Sequence, residues 1–140
     1  MLNVVLPLAC ALLAAPVTFV IGLIRPRLTT GAAIGTAAVS TLAVLWGWGR
    51  GGGSIDLPWV PTWGLRLEFT FDGLGAPYAP LATGVGLPVL VYASSYLPRH
   101  LHHQGRPASD ALPFYAFVLL FMGARVGLAF AEDLVLLFVF

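Results

Sequence analysis

Long stretches with few or no charged residues dominate the chain and predict membrane-spanning helices. The four main stretches are Leu2–Ile24, Thr30–Gly49, Leu74–Leu97 and Ala111–Ala131. Each offers the roughly 20 residues that a helix needs to cross a ~30 Å hydrocarbon layer. A further apolar run starts at Leu134 and continues to Phe140. We therefore predict an all-α membrane protein, with residues 1–140 as a single transmembrane segment of four complete helices and the start of a fifth.

A different periodicity marks the connection between the second and third spans. From Leu65 to Asp72 apolar and polar residues alternate strictly, which is typical of a strand with one buried face. The turn-forming stretch Pro61–Gly64 separates this run from Ile55–Val60, so we predict a small β-hairpin lying on the outer membrane surface. Asp72 stands where the third span begins, at the position of a helix N-cap.

The composition excludes an ordinary soluble domain. Hydrophobic residues make up 59% of the chain and charged residues only 9%, whereas soluble domains carry about a quarter charged residues. The net charge of +1 gives no basic patch, so nucleic-acid binding is not expected. The single cysteine, Cys10, lies in an apolar run and excludes an internal disulfide.

The distribution of arginines predicts how the chain is oriented in the membrane. The connectors on one side carry Arg25, Arg27, Arg99 and Arg106, and the hairpin connector on the other side carries Arg50 and Arg66. Cytoplasmic connectors are enriched in basic residues. We therefore predict a multi-pass protein of the cell membrane with its N-terminus outside.

The second span is rich in small residues, with Gly31 and Gly35 four positions apart. Small residues at this spacing allow helix backbones to approach closely in lipid. We interpret the pattern as tight packing within a larger bundle; a dedicated dimerisation motif is the alternative.

The sequence shows no catalytic constellation and no cofactor-binding motif. His100, His102 and His103 form the sequence HLHH, with Asp110 as the nearest additional ligand type. A zinc site needs three or four ligands that converge tetrahedrally. We therefore expect solvated histidines in a loop and predict no metal site.

Arg125 is the one charge inside a predicted span. Such a charge normally faces the bundle interior or a partner, and it often marks an ion pathway. Glu132 lies seven residues further on roughly the same helical face, and Asp133 is adjacent. Arg125, Glu132 and Asp133 are therefore candidates either for an ion pathway or for an ion pair that anchors the outer end of the fourth span.

Three blocks of sequence carry a resemblance to a known family. They are WVPTWGLRLEFTFDGLG (Trp59–Gly75), GVGLPVLVYASSYL (Gly84–Leu97) and FYAFVLLFMGARVGLAFAEDLVLLFVF (Phe114–Phe140). In this order they resemble the N-terminal region of the large antiporter-like membrane subunits. These include the A subunit of the Mrp-type multisubunit sodium/proton antiporters and the distal proton-pumping subunit of respiratory complex I. The stretch Tyr96–Pro98 and the ending Leu134–Phe140 look closer to the Mrp type.

The resemblance implies a transporter subunit, not an enzyme, which works with other antiporter subunits on sodium ions and protons. In the family, a glutamate just beyond the segment similar to Leu134–Phe140 and lysines on later helices belong to the ion path. No position here matches them, so the resemblance implies structural support around an ion path in later helices. We expect a fragment of a longer subunit or one part of a split polypeptide.

The sequence departs from the family pattern at Gly75, where serine is usual, and at Arg125, where an apolar residue is usual. Two other interpretations stay open. One is the complex I subunit, and the other is a small four-helix accessory membrane protein.

Overall fold

The computed structural model describes residues 2–60, 65–71, 73, 75–132, 138 and 140. Its four long helices are α1 (Leu2–Ile24), α2 (Thr29–Gly49), α3 (Gly75–His103) and α4 (Leu112–Phe130), with short 3₁₀ turns at Pro26–Leu28 and Ala108–Ala111. All four helices are long and apolar enough to cross a membrane. The predicted all-α membrane architecture is therefore confirmed. Of the predicted fifth span, only Phe138 and Phe140 belong to the described residues.

Helix α3 extends beyond the apolar run from which it was predicted. The run ends at Leu97, but the helix continues to His103. It ends in a Schellman-type cap, where Gly105 has a φ of +67° and the Arg106 N–H donates to the Leu101 carbonyl oxygen at 3.0 Å. Hydropathy reports where a span leaves the hydrocarbon layer, whereas the backbone cap determines where the helix ends. The three histidines therefore lie on the last turn of a helix, and their prediction as loop residues was wrong.

The helices form an antiparallel bundle in which each packs against its neighbours in sequence, and α4 closes the ring against α1. The core has two parts. The part further from the hairpin surrounds Leu90, Tyr115 and Leu119, all fully buried. The other part surrounds Val4, Val44 and Val126 at the hairpin end. Short connections join α1 to α2 and α3 to α4, and the hairpin joins α2 to α3, which gives an up-and-down topology.

Small and hydroxyl-bearing residues hold α1 against α2. Ala33 and Ala37 of α2 are completely buried. The Thr18 and Thr36 hydroxyl groups are 3.1 Å apart across the interface, and the Ser40 hydroxyl donates to the Cys10 carbonyl oxygen at 3.1 Å. Close backbone approach combined with hydrogen bonds across the helices is how helices associate in lipid.

Gly31 and Gly35 are not points of close backbone contact in this interface. Both are exposed, and a Cβ at either position would meet no atom within 4 Å among the described residues. Both glycines therefore lie at the surface of α2, and Gly35 lines an open groove between α2 and α1. The interface uses Ala33 and Ala37 instead.

The predicted hairpin is confirmed, with β1 (Gly53–Val60) antiparallel to β2 (Leu65–Phe71). Ile55 pairs with Phe69, and a register shift occurs between Pro58 and Val60. The alternation places Ile55, Phe69 and Phe71 on the buried face, each at most 8% exposed. This face covers one end of the bundle, where the Phe71 and Phe130 ring centroids are 4.6 Å apart. Asp72, the predicted N-cap, lies outside the described residues.

Candidate functional site

Arg125 is exposed on the outer surface of α4, in its second half. Its guanidinium carbon lies 4.3 Å from the centroid of the Phe121 ring. Phe121 is one turn earlier and is the central residue of α4, so the charge is directed toward the middle of the helix and away from the hairpin end. This follows from helix geometry, because side chains tilt toward the helix N-terminus. The alternative orientation, toward the nearer membrane interface, is not the one observed.

The predicted ion pair between Arg125 and Glu132 is not formed in the structure. Among the described residues, the ion pairs are Arg66–Asp56 and Arg106–Asp110. Asp133 lies outside the described residues. The roles of Arg125, Glu132 and Asp133 in an ion pathway or as helix anchors therefore stay predictions.

The contact with Phe121 offsets only part of the cost of placing a charge at this depth. An arginine near the centre of a span costs at least about 2.5–3.5 kcal/mol on insertion scales. A cation over an aromatic ring returns about 0.5–1 kcal/mol where it is exposed and about 2 kcal/mol where it is desolvated. The contact with the ring therefore returns less free energy than the insertion of the charge costs.

A groove of about 410 Å³ lies beside Arg125, between the start of α3 and the end of α4. It is lined by Gly75, Tyr78, Leu81, Ala82, Arg125, Leu128 and Ala129. Its walls are mostly apolar, and Arg125 is the charged side chain among the described residues that line it. A Cβ on Gly75 would stand 2.5 Å from the Ala129 carbonyl oxygen, so glycine allows the two helices to approach closely here. Gly75 and Arg125, the two departures from the family pattern, therefore line the same groove.

Glu132 connects the end of α4 to the hairpin, through partners that the sequence did not indicate. Its backbone N–H donates to the Glu68 carbonyl oxygen at 3.0 Å, and its carboxylate accepts a hydrogen bond from the Thr70 hydroxyl. An isolated antiparallel bridge joins Phe69 and Ala131 beside these bonds. Two residues are too few for strand periodicity, so the sequence did not indicate that Ala131 and Glu132 pair with β2.

The three histidines make local contacts at the end of α3. The Gln104 amide nitrogen is 3.0 Å from His100 Nε2, and His103 Nδ1 is 2.7 Å from the Arg99 carbonyl oxygen. In the part of the chain that the structure describes, no three His, Cys, Asp or Glu side chains converge as they would around a metal ion. The contacts observed are those of a helix end.

The polar side chains inside the spans bond to one another and to the backbone. The fully buried Thr83 hydroxyl donates to the Ala79 carbonyl oxygen at 3.1 Å, one turn earlier in α3. Thr30 donates to the buried Tyr115 hydroxyl at 3.4 Å. No aspartate, glutamate or lysine occurs in the sequence of the four spans. These four spans therefore offer no carboxylate or amine that could exchange a proton.

Comparison with known proteins identifies what the fold resembles. No family model matches the chain. The A subunit of the Na(+)/H(+) antiporter of Alkalihalophilus pseudofirmus is 34% identical over 91 residues, which cover 64% of this chain and 10% of the relative. The A1 subunit of a Na(+)/H(+) antiporter from Staphylococcus aureus is 33% identical over 85 residues, 60% of this chain and 10% of the relative.

A solved structure is similar over almost the whole chain. The structure of the Mrp complex from Dietzia sp. DQ12-45-1b matches with a TM-score of 0.79 and 26% identity, covering 97% of this chain and 14% of that chain. The chain spans about a tenth of the length of the curated relatives it matches. These relatives are antiporter subunits, which points to a transporter and confirms the resemblance that the sequence motifs indicated. In sequence the chain is therefore similar to part of these antiporter A subunits, and in fold it is similar to a chain of the Mrp complex.

Proposed function

We propose that residues 1–140 form the N-terminal membrane segment of the A subunit in a multisubunit sodium/proton antiporter of the cell membrane. The observation that carries this proposal is the match over 97% of the chain to a chain of the Mrp complex, together with 34% identity to an antiporter A subunit. The proposed partners are the other subunits of the antiporter and the lipid bilayer. Sodium ions and protons are handled by the whole complex.

The proposed role of this segment is structural support around an ion path in later helices. The four spans contain no carboxylate or lysine, and their buried hydroxyl groups are already hydrogen-bonded within the bundle. An ion path needs groups that bind and release an ion, and such groups are rare and functional at membrane depth. The bundle supplies packing surfaces, and the remaining helices supply the transport chemistry.

The complex itself provides the test of this function. A tag is placed on the chain in its native host, the complex is extracted in mild detergent, and its subunits and the intact mass of the chain are determined by mass spectrometry. Reconstituted in vesicles with an imposed pH gradient, it should move protons when sodium is added. Other antiporter subunits in the complex would support the proposal. Co-purification of flavin and iron–sulfur subunits would instead establish the respiratory alternative.

The proposed orientation places the N-terminus and the hairpin outside the cell. Arg25 and Arg106 lie at the end of the bundle opposite the hairpin, which by the positive-inside rule is the cytoplasmic end. Single cysteines at the exposed positions Ser54, in the hairpin, and His102, at the opposite end, test this in a Cys10→Ala background. A membrane-impermeant maleimide should label Ser54→Cys in intact cells and His102→Cys only after lysis. The reverse pattern would overturn the orientation.

A further inference from the structure

We propose that the groove between α3 and α4 docks a membrane-spanning helix from outside residues 1–140, and that this helix places a carboxylate against Arg125. The inference rests on the proposed function, in which these residues are part of a larger membrane assembly. It goes further by assigning the docking face, the residue that it recognises and the chemistry of the partner.

Arg125 carries a charge that no described residue balances. In the described part of the chain its guanidinium group contacts the Phe121 ring and takes part in no ion pair. The four spans contain no acidic residue, and Asp133 follows Arg125 by eight positions in the chain, whereas the guanidinium group is directed toward Phe121, four positions before it. A cation at membrane depth is stabilised by an anion, so the complementary group has to come from outside the described bundle.

The depth of the Arg125 charge favours a membrane helix over a phospholipid as the source of the anion. The guanidinium group is directed toward Phe121, at the centre of α4, and away from the nearer helix end. Lipid phosphates lie beyond the hydrocarbon boundary, about 15 Å from the bilayer centre. A carboxylate on a membrane helix can be placed at any depth, including that of Arg125.

The shape of the groove between α3 and α4 suits a docked helix. Ala82 and Ala129 are half-buried small residues in the lining, and the side chains of Tyr78 and Leu81 stand exposed beside them. Small residues allow a further helix to approach closely, and the flanking side chains pack against its sides. Tyr78 and Leu81 are 62% and 60% exposed, so this surface is not used within the bundle.

The charge distribution argues against a second copy of the chain as the occupant. Two copies that met through this face would bring two arginines together. The acidic residues of the described chain lie at the two ends, in the hairpin and its contacts (Asp56, Glu68 and Glu132) and before α4 (Asp110). None can supply a carboxylate at the depth of Arg125.

Photo-crosslinking in the native membrane identifies the occupant. A benzophenone amino acid replaces Leu81, which lines the groove, or Leu42 of α2 as a matched control. Both leucines lie within two turns of the hairpin end of their helices and are similarly exposed, at 60% and 66%. From Leu81, we expect a crosslinked peptide that comes from an apolar span containing Asp or Glu. Three results would overturn the proposal. The Leu81 position could crosslink only to lipid, it could crosslink to a peptide from residues 1–140, or the Leu42 position could crosslink equally well to the same peptide.

Charge reversal tests the recognition step. Arg125→Glu should lower the amount of assembled complex about tenfold or more, because two carboxylates then face each other at membrane depth. In the Arg125→Glu background, replacing the acidic residue of the crosslinked helix by arginine should restore assembly. A purely structural role of Arg125 would not predict this restoration. Phe121→Leu, which removes the ring and keeps the charge, should change assembly less than about threefold. Unchanged assembly in Arg125→Glu, or no restoration by the reversed pair, would refute the pairing.

These experiments separate the two proposals. A complex that contains antiporter subunits and exchanges sodium for protons, but gives only lipid adducts at Leu81, would leave the proposed function standing and remove the docking proposal. A complex without antiporter subunits would remove the proposed function. The Leu81 crosslink would still report what fills the groove.

Discussion

At Gly123 the backbone of α4 lies directly against the backbone of α1, and replacing this glycine by alanine should separate the two helices. A Cβ at this position would stand 2.7 Å from the Ala11 carbonyl oxygen, 3.1 Å from the Ala11 carbonyl carbon and 3.3 Å from the Leu12 Cα. All three are backbone atoms, so no side chain can rotate away. Restoring the 3.4 Å of ordinary contact to the oxygen requires the helices to move apart by about 0.7 Å.

The cost of this movement can be isolated by a matched control. Overpacking in a well-packed interior costs about 1–3 kcal/mol. Alanine also favours the helix over glycine by about 1 kcal/mol, which would mask part of the loss in Gly123→Ala alone. Gly35→Ala gains the same preference at a position where a Cβ meets nothing within 4 Å among the described residues. The difference between the two variants should therefore be about 1–3 kcal/mol in unfolding free energy.

Gly86→Ala provides an intermediate case. Its Cβ would meet the end of the Met122 side chain, which is flexible and can adopt another rotamer. The protein is extracted in mild detergent with its accompanying subunits, heated in steps, and the fraction that stays monodisperse is measured by size-exclusion chromatography. The expected order of thermal midpoints is Gly35→Ala highest, Gly86→Ala next and Gly123→Ala lowest by several degrees. Equal midpoints for Gly35→Ala and Gly123→Ala would refute the close approach of α1 and α4.

Two further predictions concern the hairpin, and both are measured by amide hydrogen exchange. Arg66→Ala removes the exposed 2.5 Å ion pair with Asp56 and leaves Asp56 opposite Glu68 on the neighbouring strand. Amide exchange in the hairpin should therefore become faster by the equivalent of about 0.2–1 kcal/mol at low salt. At high salt the increase should be smaller, because salt screens exposed charges. A salt-independent effect would contradict an electrostatic origin. Thr70→Val removes the hydroxyl that donates to the Glu132 carboxylate and keeps the branched shape of the side chain. The backbone amide of Glu132 should then exchange faster by the equivalent of about 1 kcal/mol. Protection unchanged from the native chain would mean that the backbone bond to Glu68 holds this junction by itself.

The number and approximate position of the helices could be predicted because the bilayer imposes a length. A span needs about 20 residues without uncompensated charge, and this requirement is visible in the order of residues without knowledge of contacts. The hairpin was predictable for a similar reason, since the alternation from Leu65 onward places Phe69 and Phe71 on one face of a strand.

The face that each helix buries was not predictable in the same way. In a soluble helix the buried side is apolar and the exposed side is polar, but here the exposed side is apolar as well: Leu42 is 66% exposed and Phe117 69%. With little contrast between the faces, the spacing of Gly31 and Gly35 did not indicate which small residues of α2 are buried within the bundle. The structure places close contacts at Gly86 and Gly123 instead, where neighbouring atoms leave no room for a Cβ.

The sequence by itself determined the membrane spans, the hairpin and the presence of a charge within the fourth span, because each depends on composition and on local periodicity. Only the tertiary structure decided what the charged side chains contact. Arg125 and Glu132 share a helical face in the sequence, yet Arg125 turns back toward Phe121 while Glu132 bonds to the hairpin at Thr70 and Glu68. The reason is that side-chain partners depend on which elements meet in space, and the docking of β2 beside the end of α4 brings together residues 62 positions apart in the chain.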